Sequence, residues 1–514
     1  MSISAVMEAV ETPHRRQAAL LARQLPVPLL LGVLTAWFAT SNVLLWLFLG
    51  TYNPLVLLAG FTAVGVLTLA VARMPSTVPS GGPTVGTFLI ALAIALTLLV
   101  LSGEGRFFYA NPDWQVRNAV LADMGRNAWP FVFDAHGEAF LLRAPLGIYF
   151  VPALVWHMAG ERAASLAMLV QNAVLVATML TASAPLFARG RARIVALAVF
   201  VGFSGLDALG ALLAPHVMFD HIEHWAGSMQ YSSTITLLFW VPHHAMAGWL
   251  GTACYLLWRK GMVPARMLLI VTPLSALWSP LALIGLMPFA IHAGVMVLAR
   301  RELCLWDVIF PAVAVALVLL TLSYLGSDPD LVGFRLYDMP PKIWFIFEAI
   351  EILPFLLPLL LIARRTRTAD PALLIAGFVL LTLPWFQVGA SSDLMMRASI
   401  PALAILSTLV TERVLSDDGD FRVWLIAALV VGSITGLLEL RRAFLHDAAP
   451  PVECTMFDAW DVGTVASGEK ETPKGTYLAR VAKVPALVRP IGATVVPSRS
   501  GHQCWTRWDR PNAR

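Results

Sequence analysis

The sequence predicts an all-α polytopic membrane protein of about 13 transmembrane helices (12–14), with an outer-side juxtamembrane loop and a small soluble C-terminal tail. Three observations carry that prediction. Of 514 residues, 58% are hydrophobic and 13% charged, about half the roughly 25% charge of a soluble globule. Apolar runs of about twenty residues, long enough for a helix to cross the hydrocarbon, follow one another along the chain. Lys and Arg gather in short intervals separated by two such runs each, as in loops that share one side of a bilayer. The net charge of +4 is too small to call for nucleic acid, so the bilayer is the first partner implied.

Residues 1–25 read as a cytoplasmic N-terminus with His14, Arg15, Arg16 and Arg23. No small-residue cleavage site follows a short apolar core, so the first helix is expected to stay uncleaved. A transmembrane domain over 26–442 has apolar runs near 26–49, 54–73, 83–102, 164–187, 193–214, 233–258, 306–326, 342–363, 371–388, 397–414 and 422–440. The stretch 265–299 is too long for one span. Trp278-Ser-Pro280 and Pro288 break it into two short helices, because proline removes a backbone donor.

The basic clusters are Arg189/Arg191/Arg193, Arg259/Lys260/Arg266, Arg300/Arg301 and Arg364/Arg365/Arg367. Placing them in the cytoplasm puts 103–163, 215–232, 327–341 and 389–396 outside. That arrangement fails if 142–160 makes a full crossing. This segment, with Arg143 at its start and two prolines, is therefore expected to be short and re-entrant or interfacial.

The tail, 443–514, is polar and holds no span of its own, as a small domain or lid on the outer side would. It contains Cys454 and Cys504. In an oxidising compartment these either pair or remain two thiols. No internal repeat of the inverted-transporter kind is evident.

The outer loop, 103–141, contains Asn111-Pro-Asp-Trp-Gln-Val-Arg-Asn-Ala-Val-Leu-Ala-Asp123. Charge is costly inside a bilayer and cheap at its edge, so chemistry belongs here. Asp113 and Arg117 stand at i, i+4 and project together from a short helix. A second outer loop reads Pro215-His-Val-Met-Phe-Asp-His-Ile-Glu-His-Trp225 and ends at Gln230-Tyr231-Ser232-Ser233. His216, Asp220, His221, Glu223 and His224 are metal-capable or acid/base groups, although their spacing matches no zinc motif. A divalent-metal site and a plain His-rich loop both remain open. Asp207 lies near the outer end of an apolar run and faces the protein interior or a wet mouth.

His243 and His244 follow Trp240-Val-Pro242 inside a span. They are either neutral imidazoles satisfied by their neighbours or the polar wall of a cavity. Arg397, in Ser391-Ser-Asp-Leu-Met-Met-Arg397, precedes a span on the side where positive charge is disfavoured. Its guanidinium suits a lipid phosphate at headgroup depth; an i, i+4 salt bridge with Asp393 is the alternative.

An outer-loop Asp after early helices and before many more resembles the GT-C superfamily, polytopic glycosyltransferases that use polyprenyl-phosphate-linked sugars. The resemblance rests on Asn111-Pro-Asp-Trp, Leu142-Arg-Ala-Pro-Leu-Gly147, the helix count and the soluble tail. Gln230-Tyr-Ser-Ser followed by Leu237-Leu-Phe-Trp-Val-Pro-His-His244 is similar to a bacterial GT-C-like group, and the pattern covers 100–410. The adjacent acidic pair of several GT-C families is absent.

The resemblance implies inverting transfer of a sugar, on the periplasmic side of the bacterial inner membrane, to a glycan, lipid or protein acceptor. Asp113 is then the base, with Asp123 as second catalytic candidate, and Arg117 and Arg397 bind the donor phosphate. Trp114, Trp225 and Tyr231 offer flat faces for sugar or polyprenyl, joined in substrate binding by Glu223, Gln230, His243 and His244. No cofactor is required by these residues, and the divalent metal stays open. The competing expectation is a transporter or flippase for a lipid-linked glycan or other amphiphile.

Overall fold

The computed structural model describes residues 13–79, 81–135, 137–214, 221–227, 229–368, 370–388, 392–416, 419–448, 451–459 and 477–497. Among these, seven helices are long and apolar enough to cross a membrane, or eight if the bent pair Pro341–Glu351 and Leu353–Thr366 is one span. The chain is a multi-pass membrane protein by this measure. Its helices turn bulky apolar side chains outward, including Leu55, Leu58, Ile90, Leu298, Leu319 and Val423. Such a surface is stable against lipid and a liability in water.

Helix starts follow local chemistry. Asn53 accepts from Leu55 N and Val56 N, and Thr84 makes a reciprocal capping box with Thr87. Buried polar side chains tie spans together. Asn42 reaches the Leu274 carbonyl at 3.5 Å and accepts from the Thr321 hydroxyl at 2.6 Å.

The expected break at 278–280 is present: Arg266–Leu274 and a short 3-10 turn end there, and Pro280–Ala299 begins. Pro288 does not break the second helix, which runs through it. A second break separates Thr234–Trp240 from Pro242–Arg259 at Val241.

The polar loop and the tail are not purely helical and irregular, as the all-α expectation had it. Strands Phe131–Ala135 and Glu138–Leu142 form a hairpin, flanked by Leu478–Arg480 antiparallel on one edge and Thr494–Pro497 parallel on the other. Loop and tail therefore lie at one end of the helical body, the sheet end. Each strand has only three to five residues, too short to stand out from turns by periodicity alone. Arg480 fastens the tail by pairing with Asp328 at 2.7 Å through both Nε and Nη2.

Helix Phe150–Ser183 bends at Gly160, whose φ of 80° lies in the left-handed region that glycine tolerates. Just beyond, Arg162 donates to the Gly105 carbonyl at 2.6 Å, and Glu161 pairs with Arg106 at 2.5 Å. These contacts hold the bend level with the end of helix Val85–Leu101. The arm before the bend packs on helix Pro112–Arg126, where Trp156 lies so close to Gly125 that any Cβ would collide with its ring. Residues 150–159 thus form a short arm at the sheet end, and the 23 residues after the bend are long enough to cross, about 35 Å.

Cys454 is disulfide-bonded, whereas Cys254 and Cys304 are free thiols. Cys504 lies outside the described residues.

Candidate functional site

The break at Val241 creates the anchor of the site. In a continuous helix the Phe239 carbonyl would accept from His243 N; the interruption leaves it to side chains. The Asn111 amide donates to it at 2.8 Å and the Trp114 indole N–H at 2.7 Å. Trp114 is only 3% exposed, so it clamps the 112–126 helix to the helix break and offers no open face to a sugar.

One turn beyond Asp113, Arg117 projects into the interior. Its Nη2 donates to Asp113 at 3.0 Å, and its Nη1 lies 3.2 and 3.3 Å from the two ring nitrogens of His243. An arginine only donates, so at most one of these two ring nitrogens can accept from it. The His243 and His244 rings lie 4.0 Å apart, and His244 Nδ1 shares a 2.7 Å hydrogen bond with Ser279. A break-point serine thereby fixes the second ring, and the second ring backs the first.

Helix Asp393–Ala398 repeats the pattern, with Asp393 accepting from Arg397 one turn on. In both pairs the cation is the deeper member. The Arg117 and Arg397 side chains are 6% and 8% exposed, against 40% for Asp113 and 18% for Asp393. Nε of each arginine is buried with no protein partner.

Tyr477, from the tail, lies among the four. Burial raises its phenol above the ordinary value; Arg117 and Arg397 pull it back, and Asp113 and Asp393 push it up. Burial also works against the charge of Arg117, but Asp113, Tyr149 and Tyr477 outweigh it and keep the guanidinium above its ordinary value. The result is a cradle of two buried guanidinium groups, rimmed by two carboxylates and covered by a tail tyrosine. Its unfilled N–H donors suit an anion, and its rim carboxylates can take a proton.

Glu223, Trp225, Gln230 and Tyr231 form a different network. Glu223 accepts from Gln230 at 2.6 Å and from Ser233 N at 2.9 Å. Trp225 donates to Glu351 at 2.7 Å, and the Tyr231 hydroxyl donates to the Leu380 carbonyl. Asp207 accepts from Ser204 and Thr435 at 2.7 and 2.9 Å, which confirms an inward-facing carboxylate. Burial, reinforced by Asp207, pushes Glu223 up to about 7. Nearby, His221 pairs with Glu439 at 2.8 Å, and burial with the adjacent His221 pushes His224 down to about 4. Among the described residues, no group of three or more His, Cys, Asp or Glu side chains is placed to hold a metal; His216 and Asp220 lie outside them.

Asp123 belongs to neither group. It accepts from Met456 N at 2.7 Å, a tie between the loop helix and the tail, and burial pushes it up to about 8. Of the residues singled out by sequence, Asp113, Arg117, His243, His244 and Arg397 converge. Tyr477 was missed, because nothing local marks a lone tyrosine in a polar tail. The repeated Asp-x-x-x-Arg spacing at 113–117 and 393–397 is the signal that links the two halves of the cradle. Comparison with family models, with curated proteins and with solved structures returns no match.

Proposed function

We propose that this chain is a GT-C-type inverting glycosyltransferase that moves a sugar from a polyprenyl-phosphate-linked donor to a glycan, lipid or protein acceptor. In this reading it sits in a bacterial inner membrane with the N-terminus cytoplasmic and the sheet end periplasmic. About 13 spans result when the shorter apolar helices Val85–Leu101, Arg266–Leu277 and Pro371–Trp385 and the jointed pairs are counted as crossings.

The observation that carries the reading is the cradle itself. Two buried guanidinium groups with unfilled donors lie beside a half-exposed carboxylate, Asp113. Asp113 takes the acceptor hydroxyl proton as the acceptor oxygen bonds to the anomeric carbon. The bond from that carbon to the donor phosphate oxygen breaks on the opposite face, inverting the centre. The lipid phosphate leaves with the bonding electron pair, and its negative charge is met by Arg117 and Arg397. His243, backed by His244, holds Arg117 in place.

A carrier for a lipid-linked glycan is the second reading, favoured by the buried carboxylates Asp207, Glu348 and Glu351 among the helices. One experiment separates them. The full chain, in detergent and in liposomes, is given a labelled polyprenyl-phosphate sugar with an acceptor mixture, with and without chelator. Release of lipid phosphate with label on an acceptor is expected. An intact donor that equilibrates across the liposome bilayer would overturn the enzyme reading.

A further inference from the structure

A cavity of about 440 Å³ lies at the end of the helical body opposite the cradle, within the roughly 300–1,000 Å³ of ordinary ligand pockets. Its inner part is walled by apolar side chains such as Ile90, Phe200, Trp249 and Leu256. Its outer part ends at Arg189 and Arg193. The direction follows from the chain: helix Val85–Leu101 runs toward the sheet end, and Thr84 and Thr87, at its start, line the cavity. Likewise Thr411 lies near the far end of helix Ile400–Leu415, whose beginning follows Arg397.

The two arginines are held side by side. Arg189 donates to the Gly82 carbonyl at 2.8 Å and Arg193 to the Gly81 carbonyl at 3.0 Å, on one turn of the chain. Among the described residues neither forms an ion pair with a carboxylate. Adjacent like charges held by backbone carbonyls retain their full attraction for an anion. An apolar slot from mid-bilayer to one face, closed at that face by a cationic pair, has the polarity of one lipid molecule.

We propose that this cavity is a binding site for an anionic phospholipid of the leaflet opposite the cradle, its acyl chain in the slot and its phosphate between Arg189 and Arg193. The site is independent of the proposed transfer reaction. An anionic headgroup is selected because each arginine adds attraction that a net-neutral phosphatidylcholine lacks.

The test uses full-length protein exchanged into nanodiscs of phosphatidylcholine with a minor fraction of phosphatidylglycerol of identical acyl chains. Lipid retained through detergent washing is counted by mass spectrometry. Wild type is expected to enrich phosphatidylglycerol, with about fivefold enrichment contributed by each arginine, as for a basic residue at an anionic surface. Arg189→Gln with Arg193→Gln should bring retention to the bulk ratio. Ala253→Phe, which fills the slot, should lose the retained lipid with both arginines intact. Arg300→Gln with Arg301→Gln, a basic pair outside the cavity lining, should change nothing. No enrichment in wild type, enrichment that survives the 189/193 double variant, or equal loss in the 300/301 control would overturn the proposal. Monodisperse elution of each variant shows that it has folded.

Discussion

At Arg117 and Arg397 the deeply buried groups are cations whose carboxylate partners stand nearer solvent, whereas around Glu223 the buried groups are carboxylates enclosed by uncharged donors. Glu223 has Gln230 and a backbone N–H, and Asp207 has two hydroxyls. The cradle keeps charge and leaves two guanidinium N–H donors without protein partners. Glu223 and Asp207 are satisfied locally, whereas Glu348 and Glu351 each keep one buried oxygen without a partner among the described residues. Glu223 itself is lifted to about 7 chiefly by burial, so it sheds charge readily. Burying charge is costly unless it is paired. The two buried, incompletely bonded cations of the cradle are what the proposed anion site rests on. Glu223 and Asp207, enclosed by an amide, a backbone N–H and hydroxyls, have their bonding filled from within the protein.

The largest expected effect sharpens the first half of that comparison. Asp113→Asn keeps shape and hydrogen bonding to Arg117 but removes the base. Transfer should fall by roughly 10²–10⁴-fold with donor affinity preserved. Single-turnover assays beside a donor-binding measurement read this directly, and unchanged turnover would move the base to another carboxylate.

Arg397→Gln should act next in size. Losing a charge-assisted contact of about 1.5–3 kcal/mol raises the apparent donor KM by roughly 10–150-fold, with further loss in kcat if the leaving charge is met there. A kcat change alone, at unaltered KM, would place Arg397 outside donor binding.

Glu223→Gln should be the mildest, and it is the substitution most able to break the comparison. Transfer is expected within about twofold of wild type, since the Gln230 amide can turn to match the new donor. The pH profile of stability changes instead. A carboxyl raised to about 7 stabilises fully below its unfolded value, and that contribution is lost as pH rises through about 7. The variant should therefore flatten thermal stability between about pH 4.5 and 7, and at pH 8 exceed wild type by about 1–3 kcal/mol. A large activity loss with this flat profile would make the Glu223 network functional.

Much of the cradle was legible in local spacing. Asp113 with Arg117 and Asp393 with Arg397 are one helical turn apart, and a helical turn is a property of the backbone alone. For Arg397 the salt-bridge alternative is the contact observed, and it is also what orients the guanidinium in the cradle. The two pairs are 280 residues apart in the chain, and no spacing argument reaches so far. Trp114 shows the opposite failure. Its type suggested a ring-binding face, but a free carbonyl created by the distant Val241 break consumed its N–H.

Apolar run length and the placement of Lys and Arg were enough, by themselves, to determine a multi-pass helical body, because a bilayer imposes one length and one charge preference on every crossing. The break at 278–280 was also within reach of sequence, because Trp278-Ser-Pro280 interrupts an apolar run too long for one span. Only the tertiary structure decided the sheet that joins residues 131–142 to 478–497, the tyrosine it delivers and the separation of cationic cradle from carboxyl network. Strand pairing and charge burial depend on partners hundreds of residues away, whose contact is set by how the helices pack.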